Sequence, residues 1–181
     1  ISTPTIRGVS YIDKAYEEGD QRKYHVACPH CGEAQTLEWS NVKWDKASDG
    51  THLPESAYYE CRAHGCIWDD DDRVEAIKTA EAKGHGWKAA KPFRGHASYH
   101  LSELYSCFVG LKDVVQSFLD KKAMGDLQTF TNVSLAEAWE EEAETLEVDQ
   151  LIARAAPLPD RIPMDVALQT CGVDMQEDRL E

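Results

Sequence analysis

Four cysteines stand in two short groups that can bind a metal ion. The first group contains Cys28 and Cys31, and the second contains Cys61 and Cys66. Closely spaced thiolates of this kind are the ligands of structural zinc sites, in which four protein ligands leave no open coordination position. The sequence therefore predicts a Zn²⁺ ion that holds the fold together and takes no direct part in chemistry.

The second group is longer than the first, which leaves its ligand pair open. His64 lies between its two cysteines, so a pair made of Cys61 and His64, with Cys66 spare, is an alternative. Buried free thiols or two disulfide bonds are the other interpretations of the four cysteines. Cys107 and Cys171 lie in apolar, strand-like surroundings and are predicted to be core thiols. The modest cysteine density is typical of a reducing cytoplasm.

Short strand-like runs flank both cysteine groups and predict a small β module over residues 24–68. The four runs are residues 24–27, 35–39, 57–60 and 67–68. A series of short strands around two cysteine pairs is typical of a zinc ribbon. The polar stretch 43–55 lies between the groups and contains Asp49, Gly50 and Pro54, so it is predicted to be a loop. No internal repeat is visible in the sequence.

Helical periodicity predicts the remaining elements, which are residues 11–18, 69–84, 111–124 and 126–139. The clearest is 111–124, where apolar residues recur at helical spacing and form one stripe: Leu111, Val114, Val115, Phe118 and Leu119. Asp126 is predicted to cap the last helix. The last three of these helices follow the β module and predict a helical connector.

The helix predicted over residues 69–84 has clear signals at both ends. Four aspartates stand at its start, where the positive end of the helix dipole favours acidic side chains. Gly84 is predicted to end it. Its apolar residues Val74, Ile77 and Ala80 are expected to face the core.

Composition limits the size and the partners of this chain. With 181 residues, of which 42% are hydrophobic, it can bury one moderate core and a small satellite module. Its net charge of −14 argues against DNA binding by the surface as a whole, although the acid is concentrated in residues 69–72 and 140–147. Scattered cations allow weak phosphate contact: Arg22, Lys23, Lys43, Lys46 and Arg62. Neither a signal peptide nor an apolar membrane span is present in the sequence given.

Nine short segments stand in a fixed order along the chain. They are residues 2–5 (Ser-Thr-Pro-Thr), 18–22, 28–32, 59–61, 86–87, 95–100, 130–132, 135–140 and 171–179. Together they resemble the lambda-type (GpA-family) terminase large subunits of tailed bacteriophages. The resemblance covers essentially the whole chain and implies the middle of such a protein, from the end of the ATPase to the start of the nuclease.

The resemblance implies an α+β fold in which a zinc-ribbon β module and a helical region are flanked by the end of an α/β ATPase and the first strand of an RNase H-like nuclease. The implied parts are residues 1–20 (end of the ATPase, with its coupling segment), 24–68 (zinc ribbon), 69–140 (helical connector), 141–165 (acidic and proline-rich linker) and 166–181 (first nuclease strand). Ala136 and Ala138 stand where the family pattern has glycine and proline.

The resemblance also implies two sites that this chain shares with its neighbours. Ser2, Thr3 and Thr5 match the segment that couples ATP hydrolysis to DNA movement, although on their own they predict only a turn. No GxxxxGK[ST] loop occurs in the sequence, so this segment alone is not expected to hydrolyse ATP. Asp174 matches the first nuclease carboxylate that binds Mg²⁺ or Mn²⁺, although on its own it fits an ordinary turn. Asp178 is not assigned.

The implied function is that of a DNA-packaging terminase in the host cytoplasm, with no membrane partner. Its expected partners are double-stranded DNA, the terminase small subunit and the portal of the procapsid. An alternative from a different class is a free-standing zinc-ribbon module that binds protein or nucleic acid.

Overall fold

Eleven α-helices and β-strands lie within residues 2–140, which are the residues that the computed structural model describes. In chain order they are α1 (Tyr11–Glu18), β1 (Arg22–Ala27), β2 (Ala34–Gln35), β3 (Val42–Lys46), β4 (His52–Glu60), β5 (Ile67–Trp68), α2 (Asp70–Thr79), β6 (Gly86–Lys88), β7 (Tyr99–His100), α3 (Leu111–Ala123) and α4 (Leu127–Thr129). This mixture of helix and strand confirms the α+β class. The predictions for residues 141–165 and 166–181, together with Cys171, Asp174 and Asp178, lie outside the described residues.

The strands form two small sheets, and each sheet contains one cysteine group. In the first sheet, β1 pairs with β6 on one side and with β2 and β7 elsewhere along its length. Only the β7 pairing is parallel. In the second sheet the order is β3-β4-β5, and both pairings are antiparallel. Three of the four predicted strand-like runs around the cysteines correspond to β1, the end of β4, and β5. The prediction for residues 35–39 is mostly wrong, because β2 ends at Gln35 and Trp39 begins a short 3-10 helix.

The prediction of a loop over residues 43–55 is wrong, because β3 and β4 occupy most of that stretch. Trp44 in β3 donates its Nε1–H to His52 Nδ1 in β4 (2.7 Å), which joins the two strands across the polar sequence. Only residues 47–51 form a turn. Pro54 lies where the pairing of β3 with β4 is irregular, a position at which a missing N–H is tolerated.

The stripe predicted for residues 111–124 is the core-facing side of α3. Leu111, Val114 and Val115 are fully buried, and α3 packs against β4. Four aromatic rings extend this core, with neighbouring centroids 4.9–5.9 Å apart: Trp39, Trp44, Phe118 and Phe130. The helix prediction is therefore confirmed in both its limits and its buried face.

The ends of α2 follow the signals in the sequence, although the helix is shorter than predicted. The Asp69 carboxylate caps it by accepting a hydrogen bond from Asp72 N (2.8 Å). Regular helix ends at Thr79, and the chain then forms a turn that closes at Gly84, whose φ of +76° is left-handed. That conformation costs glycine little, and a left-handed glycine is a common way to end a helix.

The buried face of α2 is centred on a charged residue that the prediction missed. Arg73 is 1% exposed and pairs with Asp70 at 2.8 Å. Its guanidinium also donates to three backbone carbonyls at 2.5–2.8 Å, those of Leu104, Ser106 and Val109. Val74, which was expected to face the core, is only half-buried. Arg73 thus fixes the chain that leads into α3.

Cys107 lies in the segment that Arg73 fixes. The prediction of a strand-like core thiol is wrong, because Cys107 is half-buried in a bend between Ser106 and Val109. The Ser106 hydroxyl accepts hydrogen bonds from the N–H groups of Phe108 and Val109 (both 3.2 Å), so the bend is stabilised by local contacts. This thiol is separate from the four-cysteine group.

The helix predicted over residues 126–139 ends early. Asp126 caps it as expected by accepting from Thr129 N (3.2 Å), but α4 is short and is followed by a π turn at Phe130–Ser134. Ala136 then has a φ of +55°, which no helix can continue and which glycine adopts more readily. The alanine that departs from the family pattern therefore stands where the backbone is left-handed.

The chain near its start is hydrogen-bonded to the chain after α4. Trp139 N donates to Thr5 O (2.8 Å), and Arg7 N donates to Trp139 O (2.9 Å). These bonds form a parallel bridge between Ile6 and Trp139, and an ion pair between Arg7 and Glu140 lies beside it. Residues 6 and 139 are therefore neighbours, and everything between them forms a closed loop.

A buried carboxylate joins two of the segments that carry the family resemblance, residues 18–22 and 95–100. Asp20 is 1% exposed and accepts hydrogen bonds from Ser98 N (3.1 Å) and Arg22 Nε (2.8 Å). Burial raises the pKa of this carboxyl, but the bonds from Arg22 and Ser98 outweigh burial and lower it. Asp20 therefore binds β7 to the start of β1 as a charged group.

Candidate metal centre

The four cysteine sulfurs converge on one point between the two sheets. Their Sγ atoms all lie within 4.8 Å of one another, and those of Cys31 and Cys61 are 3.8 Å apart. A tetrahedral zinc site with Zn–S bonds of about 2.3 Å has sulfurs about 3.8 Å apart. The arrangement of Cys28, Cys31, Cys61 and Cys66 therefore fits a zinc ion.

The first cysteine group is a tight loop between β1 and β2, which we call the first knuckle (residues 28–33). Cys28 N donates to Glu33 O (2.9 Å), and Gly32 N donates to Cys28 O (2.9 Å). Gly32 has a φ of +75°, a conformation for which glycine is best suited. These two bonds close the loop and turn the Cys28 and Cys31 side chains to the same side.

The second cysteine group, the second knuckle (residues 61–66), has the same backbone hydrogen bonds. Cys61 N donates to Cys66 O (2.8 Å), Gly65 N donates to Cys61 O (2.8 Å), and Gly65 has a φ of +65°. It lies between β4 and β5, as the first knuckle lies between β1 and β2. Both loops are therefore built on one backbone frame.

The strands that flank the two knuckles are also equivalent, so the structure contains an internal repeat that is not visible in the sequence. Val26 pairs with Gln35 across the first knuckle, and Tyr59 pairs with Trp68 across the second. Each equivalent residue is shifted by the 33 positions that separate Cys28 from Cys61. The two hairpins are a structural repeat whose members share few residue types.

Each knuckle receives a hydrogen bond from the hairpin of the other. Trp68 Nε1–H, in the second hairpin, donates to Cys28 Sγ (3.2 Å). Gln35, in the first hairpin, donates from Nε2 to Cys61 Sγ (3.4 Å) and accepts from Arg62 N at Oε1 (2.9 Å). Since Gln35 and Trp68 occupy equivalent positions, this support is reciprocal. Such donors stabilise thiolates and orient them toward a metal.

The equivalence of the two knuckles helps to decide whether Cys66 or His64 is the second ligand of the second knuckle. His64 occupies the position that Cys31 has in the first knuckle, but its side chain is exposed and does not belong to the converging group. Cys66 occupies the position of Glu33, and its sulfur does belong to that group. The geometry therefore favours four cysteine ligands. All five cysteines among residues 2–140 are free thiols, with no disulfide between them.

Burial and neighbouring groups shift the pKa values of Cys28, Cys31 and Cys66. Burial raises the pKa of Cys28, but hydrogen bonds from the backbone of its loop and from Trp68 outweigh burial and lower it to about 7. A backbone N–H lowers the pKa of Cys31, but burial and the neighbouring thiols of Cys28 and Cys61 raise it to about 12. Burial raises the pKa of Cys66. Four thiolates at this distance need a cation, and a divalent metal supplies that charge.

Two buried tyrosines fix the backbone that leaves the first knuckle. The Tyr105 hydroxyl accepts from Leu37 N (2.8 Å) and donates to Tyr24 O (2.6 Å). The Tyr59 hydroxyl accepts from Glu38 N (3.1 Å). Burial raises the pKa of both tyrosines, that of Tyr59 to about 12, so both remain protonated donors. The knuckle is thereby held on a rigid base that sequence reasoning did not identify.

The remaining predicted site residues lie apart from this centre. The side chains of Ser2, Thr3 and Thr5 are exposed, and none of them belongs to the cysteine group. Thr5 is held through its backbone, because its N–H donates to Ser10 Oγ (3.2 Å) and its carbonyl accepts from Trp139. No helix among residues 2–140 is long and apolar enough to cross a membrane.

Comparison with known proteins yields two family matches that together span most of the chain. Residues 1–87 match the ATPase domain of the phage terminase large subunit gpA. Residues 96–181 match the endonuclease domain of the terminase large subunit gpA. The first match contains β1 and ends within β6, and the second contains β7, yet these strands pair in one sheet. The two matches therefore meet inside a single structural unit.

Two curated relatives are similar along nearly the whole chain. The terminase large subunit of Enterobacteria phage P21 is 31% identical over 201 residues, which cover 99% of this chain and 30% of the relative. The terminase large subunit of Escherichia phage lambda is 30% identical over 207 residues, which cover 99% of this chain and 31% of the relative. The chain thus spans about a third of these relatives. No solved structure matches it.

Both family matches and both relatives agree with the family that the sequence segments resemble. The chain belongs to the lambda-type terminase large-subunit family, and in it a region that matches the ATPase domain is followed by a region that matches the endonuclease domain.

Proposed function

We propose that this chain is the zinc-binding connector between the motor and the nuclease of a DNA-packaging terminase. The parent protein would use ATP to drive DNA into procapsids and would cut concatemeric DNA with its endonuclease. The convergence of four sulfurs within 4.8 Å, in a unit that lies across the junction of the two family matches, carries this proposal.

The zinc ion would be held by Cys28, Cys31, Cys61 and Cys66, and its role would be structural. Its charge would balance the four thiolates and bind the β1–β2 hairpin to the β4–β5 hairpin. Two hairpins joined in this way are a zinc ribbon. The reciprocal donors Gln35 and Trp68 support the same interpretation, because each holds a thiolate of the opposite knuckle.

The sites at the two ends would act only in the parent protein. Ser2, Thr3 and Thr5 would belong to the segment that couples ATP hydrolysis to DNA movement. Asp174 would be the first nuclease carboxylate for Mg²⁺ or Mn²⁺. The partners would be double-stranded DNA, the terminase small subunit and the procapsid portal, in the host cytoplasm, and the segment alone would be inactive.

The matches at both ends favour this connector over a free-standing zinc-ribbon module. A free-standing module is not expected to match an ATPase domain over one half and an endonuclease domain over the other. Within the connector, the hydrogen bonds of Thr5 and Arg7 to Trp139 also join the beginning of the unit to its end.

Metal analysis of the purified chain tests the zinc centre. We expect one zinc per chain by elemental analysis and native mass spectrometry. Removal of the metal by a chelator should unfold the two hairpins, because metal binding supplies the free energy that orders them. Circular dichroism before and after chelation measures this loss. A chain that keeps its fold without metal, and whose cysteines are all reduced, would contradict the proposal.

A further inference from the structure

Residues 82–102 of this acidic protein contain basic residues and no acidic ones. The chain has a net charge of −14, yet residues 82–102 contain no aspartate or glutamate. The same stretch contains four cations, Lys83, Lys88, Lys91 and Arg94, and three histidines. It includes β6 and β7, which flank β1 in the first sheet. This stretch therefore has positive charge that no acidic residue of its own offsets, whereas acidic residues outnumber basic ones in the rest of the chain.

Two lysines face each other directly across this sheet. Lys23 in β1 is the register partner of Lys88 in β6, and both side chains are exposed. Directly opposed residues of an antiparallel pair point to the same face, where like charges destabilise the sheet. Neither lysine forms an ion pair with any acidic residue in the described part of the chain. The pair thus costs stability without any visible compensation.

The neighbours of the lysine pair are also basic. Burial lowers the pKa of His25, and the charges of Lys88, His85 and Lys23 lower it further. All three of these groups are basic. Two carboxylates lie near this sheet, since Glu81 acts on Tyr24 and Glu137 acts on the largely buried His100. Among the described residues, neither carboxylate forms an ion pair with Lys23 or Lys88. The charge of the pair is therefore available to an external anion.

We propose that this lysine pair, Lys23 and Lys88, contacts the phosphate backbone of duplex DNA. A pair of fixed ammonium groups on a rigid sheet suits a regular array of phosphates, and such contacts need no particular base sequence. The proposal rests on the proposed function, since it names the surface through which the connector meets the DNA that the parent protein moves. The net negative charge of the remaining surface would repel DNA and keep it on this side.

A salt series with matched variants tests the lysine pair. Binding of the zinc-loaded chain to a fluorescent duplex of random sequence is measured between low and moderate salt. K23Q/K88Q should reduce the slope of log K against log [salt] by about 2, because each phosphate contact contributes roughly 0.9. K43Q/K46Q removes the same charge from two exposed lysines of β3 and should leave the slope unchanged. K23R/K88R keeps the charge and should keep the binding.

Two results would overturn the proposal. One is an equal effect of K23Q/K88Q and K43Q/K46Q, which would show that only net charge matters. The other is the absence of duplex binding at low salt by the parent chain. Zinc content and the melting curve are measured on the same samples, so a chain that holds zinc and does not bind DNA would reject this surface and leave the connector proposal standing.

Discussion

The two knuckles have the same backbone but present their second cysteine from different positions. In both, the first cysteine is bonded to the residue five positions later, and a left-handed glycine donates to it. The first knuckle offers Cys31 at the third position after Cys28, whereas the second offers Cys66 at the fifth position after Cys61. The same loop backbone can therefore bring its second cysteine sulfur to the common point from either of two positions, so the spacing of the cysteines in the sequence does not by itself identify the loop.

The knuckles also differ in how they are supported. Trp68 gives the first knuckle a single donor, to Cys28. Gln35 gives the second knuckle two bonds, one to the Cys61 sulfur and one to the Arg62 backbone. The longer cysteine spacing thus occurs together with the stronger external support. Four predictions test this comparison, from the largest expected effect to the smallest.

Replacing Cys28 by Ser should destroy the metal centre and with it both knuckles. Cys28 is buried and belongs to the sulfur group, and structural zinc contributes folding free energy on the order of 10 kcal/mol. We expect loss of zinc by elemental analysis and loss of the cooperative melting transition by circular dichroism. Cys107→Ser is the matched control, since that thiol lies outside the group and its removal should keep one zinc per chain. An unchanged melting curve of Cys28→Ser would refute the prediction.

Removing Cys66 and removing His64 should have opposite outcomes. Cys66→Ala leaves three ligands and should weaken zinc binding by more than the roughly 100-fold that loss of a supporting contact can cause. His64→Ala removes an exposed side chain outside the sulfur group and should leave the affinity unchanged. Competition against a chromophoric chelator measures both affinities. The reverse result would mean that in both knuckles the second ligand is the third residue after the first cysteine, as the alternative pair of Cys61 and His64 requires.

Removing the reciprocal donors should weaken both knuckles without abolishing zinc binding. Trp68→Phe and Gln35→Leu should each cost about 1–3 kcal/mol, because each leaves buried polar groups without a partner. Gln35→Leu should cost more, since Gln35 makes two bonds and Trp68 makes one. Urea unfolding of the zinc-loaded chains measures the difference, with the exposed Trp87→Phe as control. Equal costs would show that the second knuckle has no greater support.

Replacing the equivalent glycines should have small and equal effects. A Cβ on Gly32 would meet no atom within 4 Å, and one on Gly65 would lie 3.4 Å from Glu60 Oε1, so neither position is closed by sterics. The left-handed backbone alone should cost Gly32→Ala and Gly65→Ala about 1–2 kcal/mol each. The same urea assay measures both. A clear inequality would show that the two frames are less alike than their hydrogen bonds indicate.

Features that depend on neighbouring residues could be predicted from the sequence. The stripe on α3, the caps at Asp69 and Asp126, and the strands beside the cysteines all follow from spacings of a few residues. The loop prediction for residues 43–55 was wrong because the polar composition of this stretch is typical of a loop. Its strands depend instead on the contact between Trp44 and His52.

Features that depend on distant partners could not be predicted. The carbonyls that Arg73 binds lie more than 30 positions away, so its burial has no local signal. The repeat of the two hairpins was invisible because equivalent positions contain different residues, such as Gln35 and Trp68. The cysteine and glycine pattern was the only signal available, and it located the sulfur group without showing that the two loops share a frame.

The bridge between Ile6 and Trp139 determines how tension would travel through the molecule. A pull on the chain before Ile6 and after Trp139 reaches their hydrogen bonds first, since residues 6 and 139 are direct neighbours. The two segments run parallel, so such a pull shears these bonds instead of opening them one at a time. The knuckles bear load only after the bridge between Ile6 and Trp139 has ruptured. Single-molecule pulling would then record two successive events, a short extension and then the unfolding of the two knuckles.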